Sequence, residues 1–308
     1  MANTEITTGE ATVKNQSKTS RLLKLLLKIL ITAVCLWYVS TKIDFKQLGE
    51  TLLNAKWLLL ILGIFLYMIS KIFAAIRLNI YFRNIKISLS PVSNLKLYWL
   101  GLFYNLFLPG SVSGDAYKVI RLRKQFAASY KKATSAVLLD RITGLLGLAF
   151  VLAFYGILVL NNSIYIAGLI TAAILATAAS HFIIKKWFRD FFPGFWPTFF
   201  WGLVVQLFAN ASAYAIILSL GIDHDLNKYM FIFLVASVAA VLPLTLGGLG
   251  AREIVFFELS KYFDLNEHTS VLIGFMIYIT VVISSLGGMF YIFTDPLKSL
   301  KKNEIKTA

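Results

Sequence analysis

Asp115, Lys118, Asp140, Arg141, Arg252 and Glu253 follow or lie within long apolar stretches. An ionised side chain in such a setting is costly and by default marks a function. Four of them come directly after strings of helix-breaking and hydroxyl residues. Asn105 to Asp115 reads NLFLPGSVSGD, and Leu242 to Arg252 reads LPLTLGGLGAR. The second string aligns without gaps on Leu108 to Lys118: Leu108 and Pro109 match Leu242 and Pro243, Ser111 matches Thr245, Gly114 matches Gly248, and Lys118 matches Arg252. Pro109, Gly110, Pro243, Gly247 and Gly250 should interrupt a helix, because proline removes a backbone donor and glycine permits positive φ. An interrupted helix exposes unpaired N–H groups and the positive dipole end of the half-helix that follows. With Asn105, Ser111 and Thr245 nearby, Gly114 and Gly248 allowing close approach, and Lys118 and Arg252 supplying charge, each break would favour an anion such as a phosphate. Asp115 and Glu253 would bind a coupling proton or hold the basic residues in place.

Four further residues belong to the candidate substrate-binding set. Asp140 and Arg141 are adjacent, so on a helix they point about 100° apart and each should find its partner on another element. A clamp between packed helices is the alternative role for them. Lys71 and Arg77 share one apolar stretch. Arg77 is close enough to its basic end to snorkel toward the interface, whereas Lys71 lies deeper.

The elements that must carry these residues are membrane helices. The chain of 308 residues is 58% hydrophobic and only 15% charged, with a mean hydropathy of +0.74. That composition predicts an all-α polytopic integral membrane protein, and the alternating pattern of a β-barrel is absent. The net charge of +15 comes from Lys and Arg gathered between apolar segments, which suits cytosolic loops better than nucleic-acid binding. A single cysteine, Cys35, and the scattered His181, His224 and His268 offer no metal site, and no cofactor is expected. Metalloprotease, Walker, dinucleotide and hydrolase-elbow patterns do not occur.

The same charge rule sets the topology. Residues 1–20 are polar and read as a disordered cytosolic segment, and 298–308 as a basic cytosolic tail. Spans are expected at 22–40, 57–82, 134–160, 164–184, 197–220 and 270–293. Basic residues flank 91–118 on both sides, so that stretch should enter from the cytosol and return. The stretch 228–263 should do the same from the outer face. About six full spans plus two re-entrant broken-helix hairpins make up the domain 21–297, with both termini inside. Opposite entry of two similar motifs is the signature of an inverted repeat, and Gly/Pro-interrupted segments in the two halves point to a transporter's binding site.

The motifs NLFLPGSVSGDAYK, LLDRITG around Asp140 and Arg141, and LPLTLGGLGAREI, in this order, resemble the flippase-like membrane domain of lysylphosphatidylglycerol synthases and their stand-alone relatives. The likeness covers about residues 20 to 297. The chain departs from it at Ser113, where a glycine would be expected before Gly114. It also ends before any soluble aminoacyl-transfer domain, so transfer of lysine from a charged tRNA is not expected. The resemblance implies a multi-pass protein of the cell (cytoplasmic) membrane that moves an anionic phospholipid or lipid-linked intermediate. Two alternatives are a membrane-embedded lipid-modifying transferase and a non-transporting partner of a membrane glycosyltransferase or lipid-modifying enzyme.

Overall fold

A computed structural model describes residues 45–107, 112–241, 245, 248–294 and 296–297, with scattered positions between 26 and 41. The segments 1–20 and 298–308, and the residues Pro109, Gly110, Ser111, Pro243 and Gly247, lie outside the described residues, as does Cys35. The expected first span is described only in part, at helical positions such as Leu26, Leu30 and Trp37.

The described elements are helical. A short amphipathic helix, α1 (Phe45–Leu53), was not expected; its apolar positions are too few to stand out in a window suited to spans. The long helix α2 (Trp57–Asn84) is followed by α3 (Pro91–Phe107), α4 (Ser113–Phe126), α5 (Tyr130–Val159) and α6 (Ser163–Trp187). After a 3₁₀ turn at Arg189–Gly194 come α7 (Phe195–Ser219), α8 (Leu226–Val241), α9 (Ala251–Tyr262), α10 (Glu267–Leu286) and a second 3₁₀ turn, Gly287–Tyr291. Five helical stretches, Trp57–Asn84, Tyr130–Val159, Ser163–Trp187, Arg189–Ser219 and Glu267–Tyr291, are long and apolar enough to cross a membrane. They fall on the expected spans. The chain is a polytopic helical membrane protein.

The order long helix, broken hairpin, long helix occurs twice, as α2–(α3, α4)–α5 and α7–(α8, α9)–α10, with α6 between. In the first hairpin the Gly114 N–H donates to Asn105 Oδ1, the rings of Tyr104 and Tyr117 meet edge to face, and the Lys118 stem lies against Gly101. Contacts that step outward on both sides of the break show α3 and α4 running antiparallel. In the second, Gly248 packs on Ala240, the Phe231 and Phe263 rings meet, and Lys228 reaches the Phe263 carbonyl.

The pair α2 and α7 forms the axis of the bundle. The Lys56 N–H donates to the Ser219 carbonyl, Ser212 Oγ to the Gly63 carbonyl, Thr198 Oγ1 to Tyr81 Oη, and Asn84 Nδ2 to the Phe191 carbonyl. These contacts run in opposite directions along the chain, so α2 and α7 are antiparallel. Small residues, among them Gly63 and Ala74, let the helices approach closely, which is how helices associate where no hydrophobic effect drives them together.

Two cores result. One gathers the first hairpin around Tyr81, Phe82, Leu97, Leu122 and Phe195; the other gathers the second around Ile216, Ile232, Phe256 and Ile273. The connections on either side of the first hairpin carry Ile87 and Leu89 into the first core and pack Ala128 against it. Those on either side of the second carry Ile222, Phe263 and Leu265 into the other. Only a small share of the α6 span is buried (6%, against 56% for the Arg189–Ser219 span), so α6 stands at the periphery with its apolar faces available to lipid.

Candidate functional site

The charges around the first hairpin form two neighbouring groups, the pair Arg77–Asp140 and the trio Arg141–Asp115–Lys118. Asp140 Oδ1 accepts from Arg77 Nε at 2.7 Å, with both side chains buried. One residue further along α5, Arg141 donates to Asp115 Oδ2 at 2.5 Å. Asp115 Oδ1 in turn accepts from Lys118 Nζ at 3.0 Å. Adjacent residues on α5 therefore pair with α2 on one side and with α4 on the other, because the helix turns them about 100° apart. Arg77 does not snorkel, as its place near a helix end suggested. Glycines at Gly144 and Gly202 leave room for its guanidinium in the interior, and Asp140 supplies the countercharge there.

Lys118 is likewise turned inward. Its ammonium lies 4.6 Å from the Tyr98 ring centroid as well as against Asp115, and the residue is buried. Asn105 serves the hairpin by accepting from the Gly114 backbone. A groove of about 290 Å³ opens beside Asp115 and Arg141, walled by Val112, Ile120, Val137 and Leu138.

The second break is built differently. Thr245 is buried in the turn, and Gly248 and Gly250 adopt φ of 88° and 82°, conformations that L side chains rarely take. They lead into α9, whose first turn carries Arg252 and Glu253. Glu253 Oε2 accepts the Gly250 N–H at 2.7 Å, closing the start of the helix as the acidic half of a capping box does. Its other oxygen, Oε1, is buried without a hydrogen-bond partner among the described residues. Arg252 points the other way. Its Nε is also buried and unpartnered among the described residues, and it lies over Gly248.

Arg252 and Lys71, so distant in sequence, line one cavity of about 170 Å³. Its walls come from the middle of α2, α5, α7 and α10 and from the tip of the second hairpin, and Tyr67, Gln206, Ser237 and Thr280 add polar groups. Lys71 Nζ sits 4.1 Å from the centroid of the Tyr67 ring. Among the described residues no carboxylate pairs with either cation. The two breaks thus differ: cations after the first are neutralised by aspartates, whereas the cations at the second face a cavity. Tyr67, Gln206, Ser237 and Thr280 were not anticipated, since isolated polar residues in apolar helices carry no local signal of which neighbours they will meet.

Comparison with known proteins agrees with this architecture. The family described as lysylphosphatidylglycerol synthase TM region matches residues 25–287. A UPF0104 membrane protein of Pyrococcus horikoshii is 28% identical over 122 residues, covering 39% of this chain and 35% of that protein. The aligned part is therefore about a third of that relative's length. With the helical bundle, the paired breaks and the family match covering most of its length, the chain belongs to the lysylphosphatidylglycerol synthase transmembrane-region family.

Proposed function

We propose that this protein translocates an anionic lipid or lipid-linked intermediate, with the head group held in the cavity between Lys71 and Arg252. The observation that carries the proposal is that pairing: two cations from different halves of the chain share one cavity inside the bundle without a carboxylate for either among the described residues. Charges left at membrane depth face a cavity or a partner, and an uncompensated pair there favours an anion. Lipid tails could stay in the bilayer beside the bundle while only the phosphate enters. The buried Arg77–Asp140 pair ties α2 to α5, and the Asp115–Arg141 pair ties α4 of the first hairpin to α5, which gives the moving parts a firm frame.

The test is transport by purified protein in liposomes containing labelled anionic and zwitterionic lipids. Wild type should move anionic lipid, Arg252→Ala and Lys71→Ala should each slow it at least tenfold while keeping the fold, and Lys186→Ala, outside the cavity, should not. Equal rates in the wild type and the two cavity variants would overturn the proposal.

A further inference from the structure

The balance of charge in the cavity between α2 and α9 specifies the ligand more closely. We infer that it selects a phosphate bearing two negative charges, a phosphomonoester or diphosphate, over a singly charged phosphodiester or a zwitterion; this rests on the transport reading above. Lys71 and Arg252 bring two positive charges to one site, and no aspartate or glutamate pairs with them among the described residues. Two tyrosines and one carboxylate lie near them. Tyr67 offers Lys71 its ring, and Tyr278 of α10 lies within electrostatic reach of both Glu253 and Arg252. Glu253 also acts electrostatically on its neighbour Arg252, but its Oε2 is turned to the Gly250 N–H, so its charge is shared with the positive end of α9 and it closes no ion pair with the guanidinium.

A phosphodiester would offset one cation and leave the other without an anionic partner. A phosphomonoester carries about 1.5 to 2 negative charges at neutral pH, with a second ionisation near pH 6, and presents three acceptor oxygens. Those oxygens suit a divided set of donors, a compact ammonium on one wall and a planar guanidinium on another. A choline or ethanolamine head group would bring a third cation to a site that already has two. The cavity volume of about 170 Å³ also suits a phosphate group better than a sugar-bearing head group.

The experiment is equilibrium binding of fluorescent phosphatidic acid, phosphatidylglycerol and phosphatidylcholine to the purified full chain in detergent, at pH 5 and pH 8. At pH 8 phosphatidic acid should bind at least tenfold more tightly than phosphatidylglycerol. The gap should close toward pH 5, where the second phosphate proton returns. Lys71→Gln should remove the preference while Lys71→Arg, which keeps the charge, retains it; melting curves identify any variant that fails to fold. Millimolar inorganic phosphate should not displace the lipid, and displacement would assign the site to free phosphate and overturn the lipid assignment. Equal binding of phosphatidic acid and phosphatidylglycerol, with both weakened by Arg252→Gln, would overturn the charge preference and leave the head-group cavity standing. Lipid binding indifferent to both Lys71 and Arg252 would overturn both.

Discussion

The Arg77–Asp140 pair and the Asp115–Arg141 pair differ in burial, and that difference predicts different sensitivities. Arg77 and Asp140 have side-chain exposures of 6% and 9%, whereas the Arg141 side chain is 34% exposed. Removing one member of a buried pair strands the other charge, at a cost of about 3–5 kcal/mol. Arg77→Met or Asp140→Leu should therefore lower the melting temperature sharply. The double variant should recover most of the loss, because no lone charge remains; thermal unfolding of the four proteins in detergent measures the coupling. Arg141→Gln should cost less than either single change, since water reaches its partner's neighbourhood. A double variant as unstable as the sum of the singles would mean that the pair does not act as a unit. From sequence, Asp140 and Arg141 could be expected to point apart and to need partners elsewhere. Their partners, Arg77 and Asp115, could not be named, because pairing across long stretches of chain depends on how helices pack. The meeting of Lys71 with Arg252 was hidden for the same reason, whereas the pairing of Lys118 with Asp115, three residues away, is local and in keeping with the expected role of Asp115 in holding a basic residue in place.

The hairpins depend on glycines in different ways. A Cβ on Gly114 would collide with the Gly101 carbonyl, which is fixed backbone, whereas a Cβ on Gly101 would meet the flexible stem of Lys118. Gly114→Ala should thus force α3 and α4 apart and destabilise by about 1–3 kcal/mol, the usual range for overpacking. Gly101→Ala should be milder, because the lysine can shift. At Gly248 the obstacle is conformational as well, since φ is 88° and Ala240 is close. Melting curves for Gly114→Ala, Gly101→Ala and Gly248→Ala test the ranking, and a Gly101→Ala variant less stable than Gly114→Ala would contradict it. The breaks themselves were legible, because proline and clustered glycines in an apolar run leave few structures open to the backbone. Helices α3, α8 and α9 keep within a few residues of the expected outer limits 91, 228 and 263, whereas α4 runs to Phe126, eight residues past the expected limit of 118. Helix α1 escaped notice because a short amphipathic segment has neither the length nor the hydropathy of a span, and the role of Asn105 in accepting the Gly114 N–H depends on a contact across the break.

At the scale of the whole molecule, the arrangement of connections supports opposite entry of the two hairpins. Asn84 and Lys132 reach Phe191 and Asp190, so the connections before α3 and after α4 lie at the end of the bundle where α7 begins. Lys56 reaches Ser219, and Lys228 reaches Phe263, so the connections around the second hairpin lie at the end where α7 finishes. The first end carries Arg83, Lys86, Lys131, Lys132, Lys185, Lys186 and Arg189 with Asp190, whereas the second carries Lys56, Lys228 and Lys261 with Asp223, Asp225, Asp264 and Glu267, so Lys and Arg are in excess at the first. The positive-inside rule predicts that the first end faces the cytosol. Each hairpin would then enter and leave through one face, as an inverted repeat requires. Single cysteines placed in a Cys35→Ala background test this directly with a membrane-impermeant maleimide applied to intact cells. Cysteines at Asp223 and Asp264 should both be labelled from outside. Cysteines at Ser90 and Ser129 should react only after permeabilisation. Ser90 and Ser129 on opposite sides would make the first hairpin a full crossing and reverse every element after it. Labelling of Asp223 and Asp264 on opposite sides would do the same for the second hairpin, and the two breaks would no longer approach the site from opposite faces.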